Sequence, residues 1–295
     1  MKADTPVDIA FTRSLPKIEL HAHLSGSISR DCLRELWLKK REQDPNLQIP
    51  DPMTVMPSVS TGFPLDILRY STRRVLEDFQ ADGVHYLELR TTPRESAVHC
   101  VSKEQYISTV LDVIDEFQHD NPNGMSAFLI LSVDRTKSSS DAEAAVELAI
   151  EFKHRGVVGV ELGGNPSRGD VSIFRNAFTK AKQNGLGVTL HFAEIKSSGS
   201  QLELDTLLSF QPDRIGHVIH VPGEIKEEIV RRKTDDVGFF CSPLSNEYLL
   251  AANHFHLTRP MIFEMCKRGI GTIFGGEQQK VKLYNSLQAY EAEFQ

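Results

Sequence analysis

What most constrains this chain is a strand-then-helix rhythm that runs from residue 84 to residue 218. Segments 84–90, 127–133, 157–162, 187–190 and 214–218 read as short, near-continuous apolar strands, and the stretches between them have helical spacing. Ser102 with Gln105 makes a capping box for a helix whose Ile107, Val110, Ile114 and Phe117 form a buried stripe. Ser140 with Glu143 caps a second helix, which Gly156 ends. Upstream, 17–24 is a further strand, and 27–40 and 66–81 are helices. Apolar strands alternating with helices predict a parallel sheet covered on both faces. A doubly wound sheet fits that rhythm too, but no GxGxxG turn follows the first strand.

The polar residues decide between the two. His21 and His23, Arg94, Asp134, Gly164, His191 with Glu194, and His217 all fall at or just past strand C-termini. In a TIM-type (β/α)8 barrel those ends meet at one mouth, where an active site is built. In Lys17-Ile18-Glu19-Leu20-His21-Ala22-His23 the alternation of a strand puts Glu19, His21 and His23 on one face. Two imidazoles so placed can reach one divalent metal such as zinc. A pair of polar histidines at a strand end is the plainer reading of His-x-His alone. Likewise His191 alone reads as a core histidine, and Asp235-Asp236 as an exposed turn or cap. Together, His-x-His, His-x-x-Glu, a lone strand histidine and Asp-Asp point to a catalytic metal site.

Composition narrows the partners. A net charge of −7 over 295 residues argues against a nucleic-acid or membrane-surface binder. No apolar run has the length of a membrane span. The four scattered cysteines suit reduced thiols in the cytoplasm better than a disulfide framework.

In wording and order these motifs resemble the adenosine/AMP deaminase family of metal-dependent hydrolases, and most closely its adenosine deaminase-like branch. The matching text is residues 15–24, 86–94, 133–135, 190–194, 213–217 and 234–236. The resemblance implies one zinc ion per chain, held by His21, His23, His191 and Asp235. It implies that zinc lowers the pKa of a water that His217 orients and helps deprotonate, while Glu194 donates a proton to purine N1. It further implies a substrate pocket of His23, Ser25, Thr91, Thr92, Pro93, Arg94, Asp134, Gly164 and Asp236, with Arg94 near a 5′-phosphate. The implied reaction converts N6-methyl-AMP to IMP and methylamine, in a cytoplasmic, monomeric, single-domain protein spanning residues 1–295. To act as an acid near neutrality, Glu194 needs a raised pKa, which a dry pocket supplies.

The chain departs from that pattern twice. Between Met56 and Asp66 a short Pro- and Ser-rich stretch replaces family sequence, and between the sixth strand and Asp235 only a helix (223–233) is legible. The expected fold is therefore an incomplete barrel: six strands, a remnant of the eighth, and no seventh. Residues 1–13 are expected to be disordered. The alternatives to an active deaminase are a catalytically impaired variant of one and a nucleotide-binding protein without chemistry.

Overall fold

Parallel strands lie side by side in chain order in the computed structural model, which describes residues 6–54, 64–223, 225, 235–236 and 243–293. They are β1 (Lys17–His23), β2 (Val84–Thr91), β3 (Ser126–Asp134), β4 (Val157–Gly163), β5 (Gly187–Phe192), β6 (Arg214–His217) and β7 (Asp235–Asp236). Helical crossovers include α2 (Arg30–Gln43), α3 (Leu65–Ala81), α4 (Lys103–Asp120), α5 (Ser139–Glu151), α6 (Arg175–Gln183) and α7 (Gln201–Leu208), after a short α1 (Ile9–Ser14). The sheet curls nearly into a barrel, incomplete as expected: its described strands end in β7, whose Asp235 and Asp236 pair with Ile215 and Gly216 of β6. Among the described residues no strand joins β7 to β1. The eighth-strand remnant thus lies directly against the sixth strand.

The strands are less uniformly apolar than their sequences suggest, because their two faces differ. Leu87, Leu89, Leu129, Leu131, Val160, Leu162, Val188 and Leu190 face outward and share one core with the helices, including the predicted α4 stripe. Each such side chain contributes about 1.5–3 kcal/mol by leaving water. The alternate residues face the lumen, among them Glu88, Arg90, Glu161, Thr189 and Arg214, all fully buried. Ion pairs between non-neighbouring strands, Arg90 with Glu161 and Arg214 with Glu88, cross that lumen.

Among the described residues three helices follow β7: α8 (Leu244–Phe255), α9 (Arg259–Ile270) and α10 (Glu277–Glu293). Their Ile262, Phe263, Ile270, Leu283 and Leu287 join Phe11, Leu15, Leu20 and Tyr86 in a second core. Lys282 reaches Ser126 at the start of β3, and Ser286 reaches His85 at the start of β2. This segment therefore closes the N-terminal end of the barrel. Between α9 and α10, Phe274 enters the lumen, where the Arg214 guanidinium lies 3.8 Å from its ring centre. A Cβ at Gly187 would sit 2.4 Å from that ring, so only glycine leaves room for it.

Two expectations need correction. Residues 9–13 are not disordered: Asp8 accepts from Phe11 N and caps α1, Phe11 and Thr12 are buried, and Lys17 Nζ donates to Thr12 O at 2.6 Å. The cap of α5 is Ser138 with Asp141, a complete capping box, two residues before the expected pair. The stretch at 55–63, nearly all of the helix expected over 223–233, and the side chains of Asp235 and Asp236 lie outside the described residues.

Candidate active site

The first two histidines owe their placement to a register shift between Glu19 and Ala22 on β1. There Glu19 Oε1 accepts the His21 backbone N–H at 2.6 Å. His21 is buried, and its ring packs over Gly216 of β6, where a Cβ would come within 2.5 Å of His21 Cε1. His191 extends from β5. Its Nε2 lies 3.0 Å from His21 Nε2 and 3.2 Å from His23 Nε2. A tetrahedral zinc with nitrogen ligands holds any two of them about 3.3 Å apart, so these three fit a shared zinc ion.

On the other side of His191, Nδ1 lies 3.5 Å from Glu194 Oε2, and His217 Nε2 lies 3.9 Å from the same oxygen. The backbone here is strained. Ala193, His217 and Val218 all have positive φ (50°, 70° and 54°), a conformation that is an outlier for a β-branched valine. Such strain gathers at functional sites, where the surrounding structure holds it in place.

Sequence reasoning missed Glu161. It is fully buried on β4, with Oε1 2.6 Å from His191 Nε2 and 3.6 Å from His23 Nε2. Arg90 Nη1 donates to Oε1 at 2.9 Å and Ser132 Oγ to Oε2 at 2.5 Å. The available signal was one acid on the lumen face of an otherwise apolar strand, a place where charge is almost never buried unpaired.

Burial, then the positive charge of Arg90, holds the His21 pKa well below its ordinary value, and burial also lowers His23. Both are thereby kept in the neutral, ligating form. Burial opposes charge on His191 as well, but Glu161 and Glu194 outweigh it and push His191 up to about 9. A proton and a metal ion thus compete for its Nε2. His217 is lowered by burial and then by His191. Glu194 is also lowered, first by its hydrogen bond to His191, against burial, and then by His217. The raised Glu194 pKa expected from the sequence is therefore not found: its side chain is only half-dry and faces imidazoles.

The remaining expected residues ring the mouth. Ser25 is exposed in the turn after β1. Past β2, Thr92 and Arg94 are partly exposed and Pro93 is buried. Thr91 closes β2. It is buried, and its hydroxyl is hydrogen-bonded to Tyr106 of α4 at 2.8 Å, away from the mouth. Asp134 and Gly164 come together: Asp134 Oδ1 accepts from Thr136 N, and a Cβ at Gly164 (φ 98°) would sit 2.5 Å from it. The Asp235 and Asp236 backbones adjoin β6, beside the turn to His217.

Residues 63–224 match the family model described as adenosine deaminase. The chain belongs to the adenosine deaminase family. It is 34% identical to N6-methyl-AMP deaminase of Danio rerio and 32% identical to that of Bos taurus, each over 343 aligned positions. These matches cover 95% of this chain and 96% and 95% of the relatives. A 295-residue chain cannot fill 343 positions, so the relatives carry internal sequence that this member of the family lacks. Among solved structures it resembles the apo N6-methyl-AMP deaminase of Arabidopsis thaliana (TM-score 0.85, 27% identity, covering 97% of this chain and all of the other). It also resembles an ADAL–IMP complex (TM-score 0.82, 27% identity, with the same coverage).

Proposed function

We propose that this family member is a zinc-dependent hydrolytic deaminase of a purine nucleoside monophosphate, converting N6-methyl-AMP to IMP and methylamine. One observation carries the reading: three imidazole Nε2 atoms from β1 and β5 converge, with His217 and Glu194 alongside. The names of its relatives and the IMP in a similar structure support the substrate class.

His21, His23 and His191 would hold the zinc, with Asp235 as the further ligand the resemblance implies. A zinc ion there supplies a water of lowered pKa. The residues around it divide the proton work. His217, kept neutral by burial, can orient the attacking water and take its proton at Nε2. Glu194 acts from its protonated form: its carboxyl, with His217 Nε2 3.9 Å away, delivers a proton to purine N1 as oxygen adds at C6. Breaking the C6–N6 bond, with a proton delivered to nitrogen, releases methylamine and leaves the 6-oxo purine. His23, Gly164 and Asp236 would meet the base, and Ser25, Thr92, Pro93, Arg94 and Asp134 the nucleotide. The arginine is suited to the 5′-phosphate by its planar fork of donors. The reading includes a single-domain monomer in the cytoplasm, a reducing compartment that suits the free thiols of Cys32, Cys100 and Cys266.

The internal sequence that its relatives carry and this chain lacks favours a second reading, a chain that binds the nucleotide without turning it over. The test incubates zinc-loaded protein with N6-methyl-AMP, AMP and adenosine and follows IMP or inosine. IMP formed well above a Glu194→Gln control supports the deaminase. No product above that control, with the nucleotide still bound, supports the second reading. Equal rates on AMP and adenosine would remove the phosphate role from Arg94.

A further inference from the structure

The metal reading leaves Glu161 without a role, although no other carboxylate among the described residues lies so deep in the site. We infer that Glu161 is itself a ligand of the divalent cation in this chain, supplying a carboxylate from β4 to the three imidazoles. The inference rests on the proposal that those imidazoles hold a cation, and it adds a donor to the expected set of His21, His23, His191 and Asp235.

The argument turns on which imidazole nitrogen the carboxylate faces. A carboxylate that merely orients a ligating histidine sits on the ring nitrogen turned away from the metal. Glu161 does the opposite. Its Oε1 lies 2.6 Å from His191 Nε2, the distance of an imidazole N–H donating to a carboxylate that an ion would replace, and 3.6 Å from His23 Nε2, near the spacing of two ligands on one zinc. These are the same nitrogens that converge at 3.0 and 3.2 Å around His191. The four potential ligand atoms, one from each of His21, His23, Glu161 and His191, all lie within 4.8 Å of one another. The orienting position on His191, beside Nδ1, faces Glu194 instead.

Glu161 is also built as a ligand. Its Oε2 is fixed by Ser132 and its Oε1 accepts from Arg90, so the carboxylate is aimed by two donors before any ion arrives. Arg90 is in turn tied to the Leu20 carbonyl at the β1 register shift, which links the carboxylate's orientation to that of His21 and His23. The Arg90 guanidinium, 2.9 Å from Oε1, faces the carboxylate with positive charge. Three imidazoles and one carboxylate make a donor set that suits zinc.

The test uses the full chain, stripped of metal and titrated with zinc against a chromophoric chelator, and with Co²⁺ for its visible spectrum. Glu161→Gln removes the charge but leaves Arg90 buried opposite a neutral amide, so it risks the fold. Glu161→Asp keeps the charge near Arg90 and Ser132 and withdraws the oxygens by one methylene. Losing a residue that only orients a ligand costs roughly 10–100-fold in metal affinity, so Glu161→Asp is expected to lose more than about 100-fold. It is also expected to change the Co²⁺ spectrum, because the coordination sphere itself changes. A variant spectrum identical to that of the wild type overturns the assignment whatever the affinity. If neither variant folds, the anomalous scattering of a zinc-soaked wild-type crystal decides it: a zinc peak in contact with Glu161 supports the assignment, and one out of its reach overturns it. A wild-type chain that takes up no zinc fails the underlying metal reading. A wild-type chain that takes up zinc beside an untouched Glu161 fails this inference alone.

Discussion

Two buried arginine–glutamate pairs cross the same lumen, and they differ in what else their carboxylates hold. In the pair nearer the N-terminal end, Glu88 accepts from Arg214, from the Tyr86 hydroxyl at 2.6 Å and from the Phe274 backbone N–H at 2.6 Å. Every one of those donors belongs to the scaffold. In the pair nearer the mouth, Glu161 accepts from Arg90 and Ser132, and then turns the oxygen it shares with Arg90 toward imidazole nitrogens. A buried charge surrounded by fixed donors holds a barrel together. One aimed at other potential ligands is placed for chemistry. The strands beneath them are alike, so the difference lies in what closes each end: a phenylalanine plug below, and a ring of strained turns above.

Breaking the lower pair should give the largest effect on stability. Glu88→Gln leaves the Arg214 charge buried and is expected to cost about 3–5 kcal/mol in urea unfolding. Zinc affinity should stay within about twofold of wild type, because the sites are separate. An affinity that fell in step with stability would erase the distinction between the two pairs. The counterpart at the mouth is Glu194→Gln. Its kcat should fall by roughly 10²–10⁴-fold with an unchanged melting temperature, since it removes a proton carrier and no packing. A Tm loss of several degrees would make Glu194 part of the scaffold.

Gly187→Ala tests the plug. Its added methyl would meet the Phe274 ring, and the overpacking is expected to cost about 1–3 kcal/mol, measured by thermal unfolding. The double variant Gly187→Ala/Phe274→Ala should recover part of what the methyl costs, since the ring it strikes is gone.

The smallest effect concerns a third buried cation, Lys17, which has backbone carbonyls in place of a carboxylate partner. Burial, against the pull of Asp82 and Cys266, lowers its pKa from 10.5 to about 8. Below pH 8 both folded and unfolded chains carry the charge, and the folded state bears the full cost of burying it. Between pH 8 and 10.5 the folded chain binds fewer protons, so stability rises with pH, by at most about 1.4 kcal/mol per unit. The difference in unfolding free energy between wild type and Lys17→Met, measured in urea at pH 8 and pH 10, should widen in favour of the wild type. A constant difference would mean that Lys17 stays charged in both states.

The mouth was more legible in sequence than the interior. His21, His23, His191, Glu194 and His217 stand at strand ends, where the direction of a parallel strand fixes which end of the barrel a residue joins. The α4 stripe and its capping box were equally plain, because helical periodicity and capping are local. Glu161, Glu88 and Arg214 were not, because hydropathy records that a strand is buried and not which face looks into a lumen. The Thr91 side chain shows the same limit, for one step in parity turns its hydroxyl to that of Tyr106. The periodicity of α8 to α10 says that each buries a face. It does not say that the face is the floor of the barrel.

That floor sets a condition on how the molecule is made. Phe274 follows all seven described strands in the chain, yet the cavity flanked by Gly159 and Gly187 is shaped around its ring. Strands emerging earlier from the ribosome can pair and gather their outer helices, but they wait around an unfilled centre. Sealing of the interior is therefore possible only once all of these strands have been made. The protein is most exposed to misassociation in the interval just before it.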